Sequence, residues 1–370
     1  MSFTIHGLGT AHPPDHLTPA DGLGIARFLA GPDVRTSSWL GPVYAGAGID
    51  RRYQVIGGPV VGDVLAGTST THSPFLPTTK NDGVGPTTGE RMRIYAEEAG
   101  PLALRASLAA INESGFMAEA ITHLVTVSCT GFTAPGVDLA LINGLGLKAT
   151  VQRTHVGFMG CHGALNGLRV ANAFATADPS ASVLLCAVEL CSLHYYYGNA
   201  ADKLIANAIF ADGAAAVVGR ASAPLRHSNR TLTLVASGSC LVPDSATDMA
   251  WTVGDHGFEM TLTRRVPRLI AGQLKPWLES WLGDNGLSLA DVKSWAVHPG
   301  GPKILTAVEE GLALPPLALA ASRGVFADYG NMSSPTVLFV LDRLRKANAP
   351  RPCVALGFGP GLVAEAALFA

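Results

Sequence analysis

The sequence has few charged residues, and its cysteines form no closely spaced pair. Asp, Glu, Lys and Arg make up 15% of the chain and the net charge is -2 at pH 7, so no basic surface is expected for nucleic acid. The six cysteines include no CxxC pair, which argues against a zinc ribbon and a disulfide framework. P-loop, HExxH and GxSxG sequences are also absent. These absences predict free thiols, no nucleic acid partner and no metal site.

The chain also lacks a long uninterrupted apolar run. Every apolar stretch is broken by Gly, Pro or a polar residue well before it reaches a membrane-spanning length. The first ten residues lack the basic start and apolar core of a signal peptide. We therefore expect a cytoplasmic protein with no membrane span.

What the sequence does contain is enough apolar material for a large interior. Its 370 residues are 48% hydrophobic, which predicts two domains or one large fold built from two halves, with an oligomer interface. Residues 57–90 are rich in Gly, Pro and Thr and predict a long surface excursion or lid, not a domain linker. The segment 91–115 has helical spacing and predicts a helix interrupted at Gly100 and Pro101.

The order of predicted elements repeats between the two halves of the chain. In each half an apolar strand ends in a turn, a second turn leads into a helix, and another buried strand follows. Equivalent residues of the two halves are separated by a nearly constant number of positions, since His298 follows Cys129 by 169 positions and Asn331 follows Cys161 by 170. This offset indicates an internal duplication and predicts that Cys161, His298 and Asn331 converge at strand ends, where α/β sheets bind ligands.

Cys161 lies between Gly160 and Gly163, where a strand is expected to lead into a helix. Backbone N–H groups and the dipole at a helix N-terminus favour a thiolate. Together with His298 and Asn331, this thiol is typical either of a thioester hydrolase or of a condensing enzyme. In a hydrolase Asn orients His as the base that activates water, whereas in a condensing enzyme both side chains stabilise one enolate oxygen.

Each of these residues also has a purely structural interpretation. Cys161 could be a buried inert thiol, and Asn331 could cap a helix. Cys129 could pack at the end of a strand. A binding protein of the same fold without catalytic activity is a further alternative. The histidines at 155, 162 and 194 are expected to be hydrogen-bonded interior residues.

Four long motifs resemble the chalcone synthase family, the type III polyketide synthases of the thiolase superfamily. They are AIFADGAAAV (208–217), HPGGPKIL (298–305), YGNMSSPTVLFVLD (329–342) and GFGPGLVAEAALF (357–369). The resemblance implies an αβαβα layered fold of two duplicated halves, residues 1–220 with the nucleophile and 221–370 with His and Asn. It also implies a homodimer that uses acyl-CoA and malonyl-CoA as substrates, with no metal or redox cofactor.

The resemblance assigns roles to individual positions. Cys161 resembles the acyl-accepting nucleophile, and His298 and Asn331 resemble the pair that activates the thiol and stabilises the malonyl-derived enolate. Phe210 resembles the first of two gate phenylalanines, and the second gate position is Met260. The positions that resemble cavity-lining residues are Cys129, Cys191, His194, Trp251, Gly357 and Pro360.

The contact with coenzyme A departs from the family pattern. The basic residues that commonly hold its phosphates are absent from the segment before Arg51, so Lys303, Arg51 and Arg52 are the candidates. Trp251 in place of a small residue predicts a shortened or redirected cavity. The alternative within the superfamily is an enzyme like ketoacyl synthase III, which performs one extension with an acyl carrier protein.

Overall fold

The computed structural model describes residues 2–30, 34, 37–76, 83–222 and 231–370. Thirteen strands are assigned in this part of the chain: β1 Ser2–Ala11, β2 His16–Leu17, β3 Arg52–Tyr53, β4 His123–Ser128, β5 Gln152–Gly157, β6 Ser182–Leu190, β7 Asp212–Ser222, β8 Leu232–Leu241, β9 Met249–Gly254, β10 Gly257–Leu262, β11 Ser294–Val297, β12 Cys353–Gly359 and β13 Val363–Phe369. The α-helices assigned in the same ranges are α1 Pro19–Leu29, α2 Leu40–Ala45, α3 Gly58–Ala66, α4 Thr88–Ser114, α5 Val137–Leu145, α6 Gly163–Ala177, α7 Ala201–Ile209, α8 Val266–Asp284, α9 Pro302–Leu312, α10 Ala320–Tyr329 and α11 Thr336–Lys346.

Nine strands form one continuous sheet in the order β11-β12-β13-β8-β1-β7-β6-β4-β5. The two halves of the chain contribute the same pattern, because β4 lies parallel to β6 as β11 lies parallel to β12. Strands β6 and β12 then pair antiparallel with β7 and β13. The halves join where β1 pairs with β8. The fold is therefore the thiolase-like αβαβα arrangement.

Alternate residues of the buried strands pack on opposite sides of the sheet, as the period of two requires. One set packs with α6 and α11 in a central layer, including Val125, Leu168 and Leu338. The other sets pack with outer helices, α4 in the first half and α8 and α9 in the second. The central helices begin close to Cys161 and Asn331, so the layer that carries the core also positions the site.

One local prediction is wrong. Helix α4 continues through Pro101, since proline removes a single backbone donor and the buried residues Ala99 and Ala103 hold the helix on the sheet on both sides of it. Residues 57–90 include helix α3, which starts with a proline at one of its first two positions and ends at Gly67 in a left-handed conformation. Residues 77–82 of that segment lie outside the described residues. No helix in the described ranges is both long and apolar enough to cross a membrane.

Candidate active site

Cys161 lies on a short 3-10 turn, Gly160–His162, that leads directly into α6. The turn is sharp, because Phe158 and Gly160 both have positive φ angles, of 59° and 76°. Gly160 also has no room for a side chain, since a Cβ there would lie 2.3 Å from Pro360 Cδ. This packing directs the Cys161 side chain into the protein, where the residue is 9% exposed.

His298 follows the end of β11 and is buried, with its backbone N–H donating to Leu356 O at 2.7 Å. Neither of its ring nitrogens has a hydrogen-bond partner within the described residues. Buried polar groups in folded proteins are nearly always paired. The free imidazole is therefore available to a group that arrives from outside, such as a substrate oxygen.

Asn331 lies between α10 and α11, and the backbone fixes it firmly. Its N–H donates to Ile209 O and its carbonyl accepts from Ala211 N, both at 2.8 Å. The side-chain Oδ1 accepts from Ser333 N at 2.8 Å. The Nδ2 group makes a long contact of 3.5 Å with Gly300 O. The carboxamide is thus anchored through its oxygen, and its N–H groups remain available as donors.

These three side chains line one narrow cavity of about 30 Å³. The structure therefore brings together the residues that the duplication offset had related. The other side chains lining the cavity are apolar: Phe210, Met249, Met260, Leu262, Ile304 and Phe358. Cys161 and His298 are the titratable groups among the described residues that line it.

Burial controls the protonation of both groups. It raises the pKa of the Cys161 thiol to about 11, although Ser333 and Asn331 act in the opposite direction. It lowers the pKa of His298 to about 3, and His162 adds to this lowering. The structure of the free protein thus favours a neutral thiol beside a neutral imidazole. This differs from the thiolate expected from the helix N-terminus, because desolvation in an apolar cavity outweighs the helix dipole.

The carboxyl group of Glu189 is a further buried polar group near Cys161, and it was not singled out from the sequence. Glu189 at the end of β6 accepts hydrogen bonds from Cys129 N at 2.9 Å, Thr130 Oγ1 at 2.7 Å and Ser334 Oγ at 2.6 Å. Burial raises the pKa of its carboxyl, while the bond from Ser334 opposes that change. The signal for Glu189 was present in the sequence as a lone acid in the otherwise apolar strand ASVLLCAVEL.

Phe210 and Met260, the expected gate residues, stand between the narrow cavity and a larger one. Both line the cavity of Cys161 and also a second cavity of about 290 Å³. Cys191, His194 and Trp251 line the larger cavity. Cys129 instead contacts Ser333, and the distance from its Sγ to Ser333 Oγ is 3.4 Å.

His194 and Trp251 form a hydrogen-bonded wall of the larger cavity. His194 Nε2 donates to Thr130 O at 2.7 Å, and its Nδ1 accepts from Phe258 N at 2.9 Å. Trp251 Nε1 donates to Cys129 O at 2.7 Å. Burial lowers the pKa of His194 to about 3, so this ring is a neutral structural group. His155 and His162 are likewise bonded to Thr126 and Asn166, as expected for interior histidines.

Gly357 and Pro360 were expected to line the cavity. Within the segment 357–361, the side chain that lines the cavity of Cys161 is that of Phe358, and Gly357 and Pro360 pack behind the turn that carries Cys161. A Cβ on Gly357 would approach His162 Cβ to 3.1 Å, and a Cβ on Gly359 would approach His162 Cδ2 to 2.4 Å. Pro360 packs on Gly160 in the same way. Gly357 and Pro360 therefore shape the site indirectly, because they press on the turn that carries Cys161.

Of the three candidate contacts for coenzyme A, Arg52 is not accessible at the surface. Arg52 is buried, and its Nη1 donates to Asn207 O at 2.7 Å and Phe210 O at 2.8 Å. This argues against the expectation that Arg52 binds phosphate, because its guanidinium donates hydrogen bonds to the backbone carbonyls of Asn207 and Phe210, the expected gate residue. Arg51 and Lys303 are exposed. Lys303 lies in the first turn of α9, just after His298.

Two family models match the chain and together cover most of it. The N-terminal domain of chalcone and stilbene synthases matches residues 76–223, and the C-terminal domain of the same family matches residues 233–370. The chain belongs to the chalcone and stilbene synthase family, the type III polyketide synthases. A single-extension enzyme like ketoacyl synthase III is not favoured by these matches.

Similar proteins come from distant organisms. The alpha-pyrone synthesis polyketide synthase-like Pks18 of Mycobacterium tuberculosis is 34% identical over 76% of this chain and 72% of its own length. The 1,3,6,8-tetrahydroxynaphthalene synthase of Streptomyces peucetius is 36% identical over 71% of each chain. The crystal structure of PKS-I from the brown alga Ectocarpus siliculosus superposes with a TM-score of 0.89 at 32% identity, covering 100% of this chain and 98% of that one.

Proposed function

We propose that the protein is an acyltransferase that loads an acyl group from an acyl-CoA onto Cys161 and extends it with malonyl-CoA by decarboxylative Claisen condensation. The observation that carries this proposal is the shared cavity of Cys161, His298 and Asn331, whose other side chains are apolar. A thiol, a base and an amide donor in a dry cavity are the groups that acyl transfer and enolate stabilisation require.

Acyl loading begins from the neutral pair. As the Cys161 sulfur attacks the thioester carbonyl, His298 accepts the thiol proton, since its neutral ring has one free acceptor nitrogen. The carbon–sulfur bond to coenzyme A then breaks, and the leaving thiolate receives the proton from His298. The products are an acyl thioester on Cys161 and free coenzyme A, and the imidazole is neutral again.

Extension uses the same cavity. Loss of CO₂ from malonyl-CoA leaves an enolate whose oxygen accepts hydrogen bonds from the remaining N–H of His298 and from Asn331 Nδ2. The enolate carbon attacks the acyl thioester, the carbon–sulfur bond to Cys161 breaks, and the Cys161 thiolate takes up a proton from water. An apolar lining favours decarboxylation, because a buried carboxylate is costly and its loss as neutral CO₂ removes that cost.

Thioester hydrolysis is less well supported by the geometry. A hydrolase of the Cys-His-Asn type requires the Asn oxygen to hold the His ring. Here Asn331 Oδ1 accepts from Ser333 N, and neither ring nitrogen of His298 is bonded to a described residue. The carboxamide is therefore arranged to donate into the cavity.

Two finer expectations belong to the same proposal. Both acyl groups arrive as coenzyme A thioesters, so the reaction needs no metal or redox cofactor, and Lys303 and Arg51 are the proposed phosphate contacts. We also propose a homodimer, in the cytoplasm. Two features support the homodimer. Strand β5 lies at one end of the sheet order and thereby offers an edge for pairing. Phe132 and Met159, near that edge, are 47% and 39% exposed.

Product analysis tests the function. The purified protein is incubated with malonyl-CoA and a panel of acyl-CoA starters, without any acyl carrier protein, and the products are identified by mass spectrometry. Repeated extension of at least one starter supports the proposal. Release of the free starter acid without consumption of malonyl-CoA would establish a hydrolase instead.

A further inference from the structure

Glu189 differs from Cys161, His298 and Asn331 because it is not among the residues that line their cavity, and because its hydrogen bonds reach both halves of the fold. It is fully buried at the end of β6. One carboxylate oxygen, Oε2, accepts from Cys129 N and Thr130 Oγ1, and also from Ser128 Oγ at 3.3 Å. Ser128 is the last residue of β4, and Cys129 and Thr130 belong to the turn that follows it in the first half.

The other oxygen, Oε1, is used differently. It accepts from Ser334 Oγ at 2.6 Å, and Ser334 belongs to the second half, in the turn between Asn331 and α11. Glu189 thereby ties the turn that carries Asn331 to the half that carries Cys161. The bond is short and fully buried, where no water competes for either partner, so breaking it would leave a buried polar group unpaired.

The tie acts on Asn331 through one intervening residue. Ser333 has a φ of 57°, a left-handed conformation that is uncommon for residues other than glycine. In this conformation its N–H donates to Asn331 Oδ1 at 2.8 Å, which decides which end of the carboxamide faces the cavity. If the turn relaxed, the amide could rotate and present its oxygen to the enolate.

We propose that Glu189 is a positioning residue, which holds the Asn331 turn through Ser334 so that the carboxamide N–H groups face the reacting oxygen. This inference rests on the proposed function, because it requires Asn331 to be the enolate donor. It assigns Glu189 a role that acts through Asn331. Its effect should therefore fall on decarboxylation and spare acyl loading, which needs Cys161 and His298.

Four variants test this role. Glu189→Gln replaces one acceptor oxygen with a donor, and Ser334→Ala removes the tie while leaving the carboxylate and its other donors in place. Thr130→Val is the control, because it also removes one hydroxyl donor from Glu189, together with the acceptor of Leu190 N, but on the side away from Asn331. Asn331→Ala removes the donor itself. For each protein, the rate of acetyl-CoA formation from malonyl-CoA is compared with the rate at which an acyl-CoA adds its acyl mass to the intact chain.

We expect Ser334→Ala and Glu189→Gln to slow decarboxylation about tenfold, the loss that corresponds to one hydrogen bond. Acyl loading should change by less than about threefold, and Thr130→Val should slow decarboxylation less than Ser334→Ala does. Unchanged decarboxylation in Ser334→Ala overturns the positioning role, and so does equal slowing of both reactions or equal slowing by Thr130→Val. If Glu189→Gln does not fold, Ser334→Ala with its control decides alone.

Asn331→Ala separates the two levels of the inference. If it loses decarboxylation while Ser334→Ala does not, the proposed function stands and the positioning role of Glu189 fails. If Asn331→Ala decarboxylates malonyl-CoA as fast as the wild type, the enolate assignment itself is wrong, and the role of Glu189 falls with it.

Discussion

The protonation state of Cys161 in the free protein leads to a quantitative prediction. With a pKa of about 11, about one molecule in ten thousand carries a thiolate at pH 7, roughly 300-fold fewer than for an ordinary cysteine. A more basic thiolate is a better nucleophile, which offsets about tenfold of that difference. Alkylation of Cys161 by iodoacetamide should therefore be about 30-fold slower at pH 7 than alkylation of an unperturbed thiol.

The pH dependence is the sharper measurement. Because the thiol pKa is raised, the alkylation rate of Cys161 should climb about tenfold per pH unit from pH 7 to pH 9. Peptide mapping by mass spectrometry gives this rate and that of the half-buried Cys240 in the same sample. The His298→Gln variant should keep the same slope, since the imidazole is neutral in the free protein, yet it should acylate about 10² to 10⁴ times more slowly because the base is lost.

A resting ion pair would give the opposite profile. The alkylation rate of Cys161 would then be nearly constant between pH 6 and pH 8, and His298→Gln would abolish that plateau. Either observation would refute the reasoning that desolvation outweighs the helix dipole and the imidazole at this site.

Three further predictions concern the surroundings of the site. Gly359→Ala should lower the free energy of unfolding by about 1–3 kcal/mol, because its Cβ would lie 2.4 Å from His162 Cδ2. Gly272→Ala, with no atom within 4 Å of the added Cβ, should raise it by up to about 1 kcal/mol. Urea denaturation of both variants checks this, and equal effects would contradict it. Trp251→Ala should shift products toward longer chains, because the indole lines the larger cavity. Trp277→Ala on α8 is the control. Identical product mass spectra for Trp251→Ala and wild type would contradict the role of Trp251 as a wall of the larger cavity. Lys303→Ala should raise KM for malonyl-CoA several-fold and leave kcat nearly unchanged, since a phosphate contact binds ground state and transition state alike. A fall in kcat alone would exclude that role.

The placement of the three candidate catalytic residues could be predicted because it follows from topology. Equivalent strands of a duplicated fold end at equivalent places, so the near-constant offset between Cys161 and Asn331 was enough to bring them to one cavity. The expectation for interior histidines was sound for a similar reason. A neutral imidazole such as His194 can satisfy one donor and one acceptor at once.

What could not be predicted depends on which way a side chain points and on what surrounds it. Arg51 and Arg52 are neighbours in the sequence, yet only Arg52 turns inward to bond carbonyls near Phe210. The thiol pKa depends on the apolar lining of the cavity, which comes from segments far apart in the chain. Helix α4 passes Pro101 because tertiary packing outweighs one lost hydrogen bond.

The central claim is that Cys161 carries the acyl group while His298 and Asn331 stabilise the enolate, as separable tasks in one cavity. Acetyl-CoA formation from malonyl-CoA by Cys161→Ala and by Asn331→Ala tests it most directly. We predict that Cys161→Ala still decarboxylates malonyl-CoA but extends no starter, and that Asn331→Ala decarboxylates it about 10² to 10³ times more slowly than the wild type. Decarboxylation that is lost with the thiol and retained without the carboxamide would contradict the account.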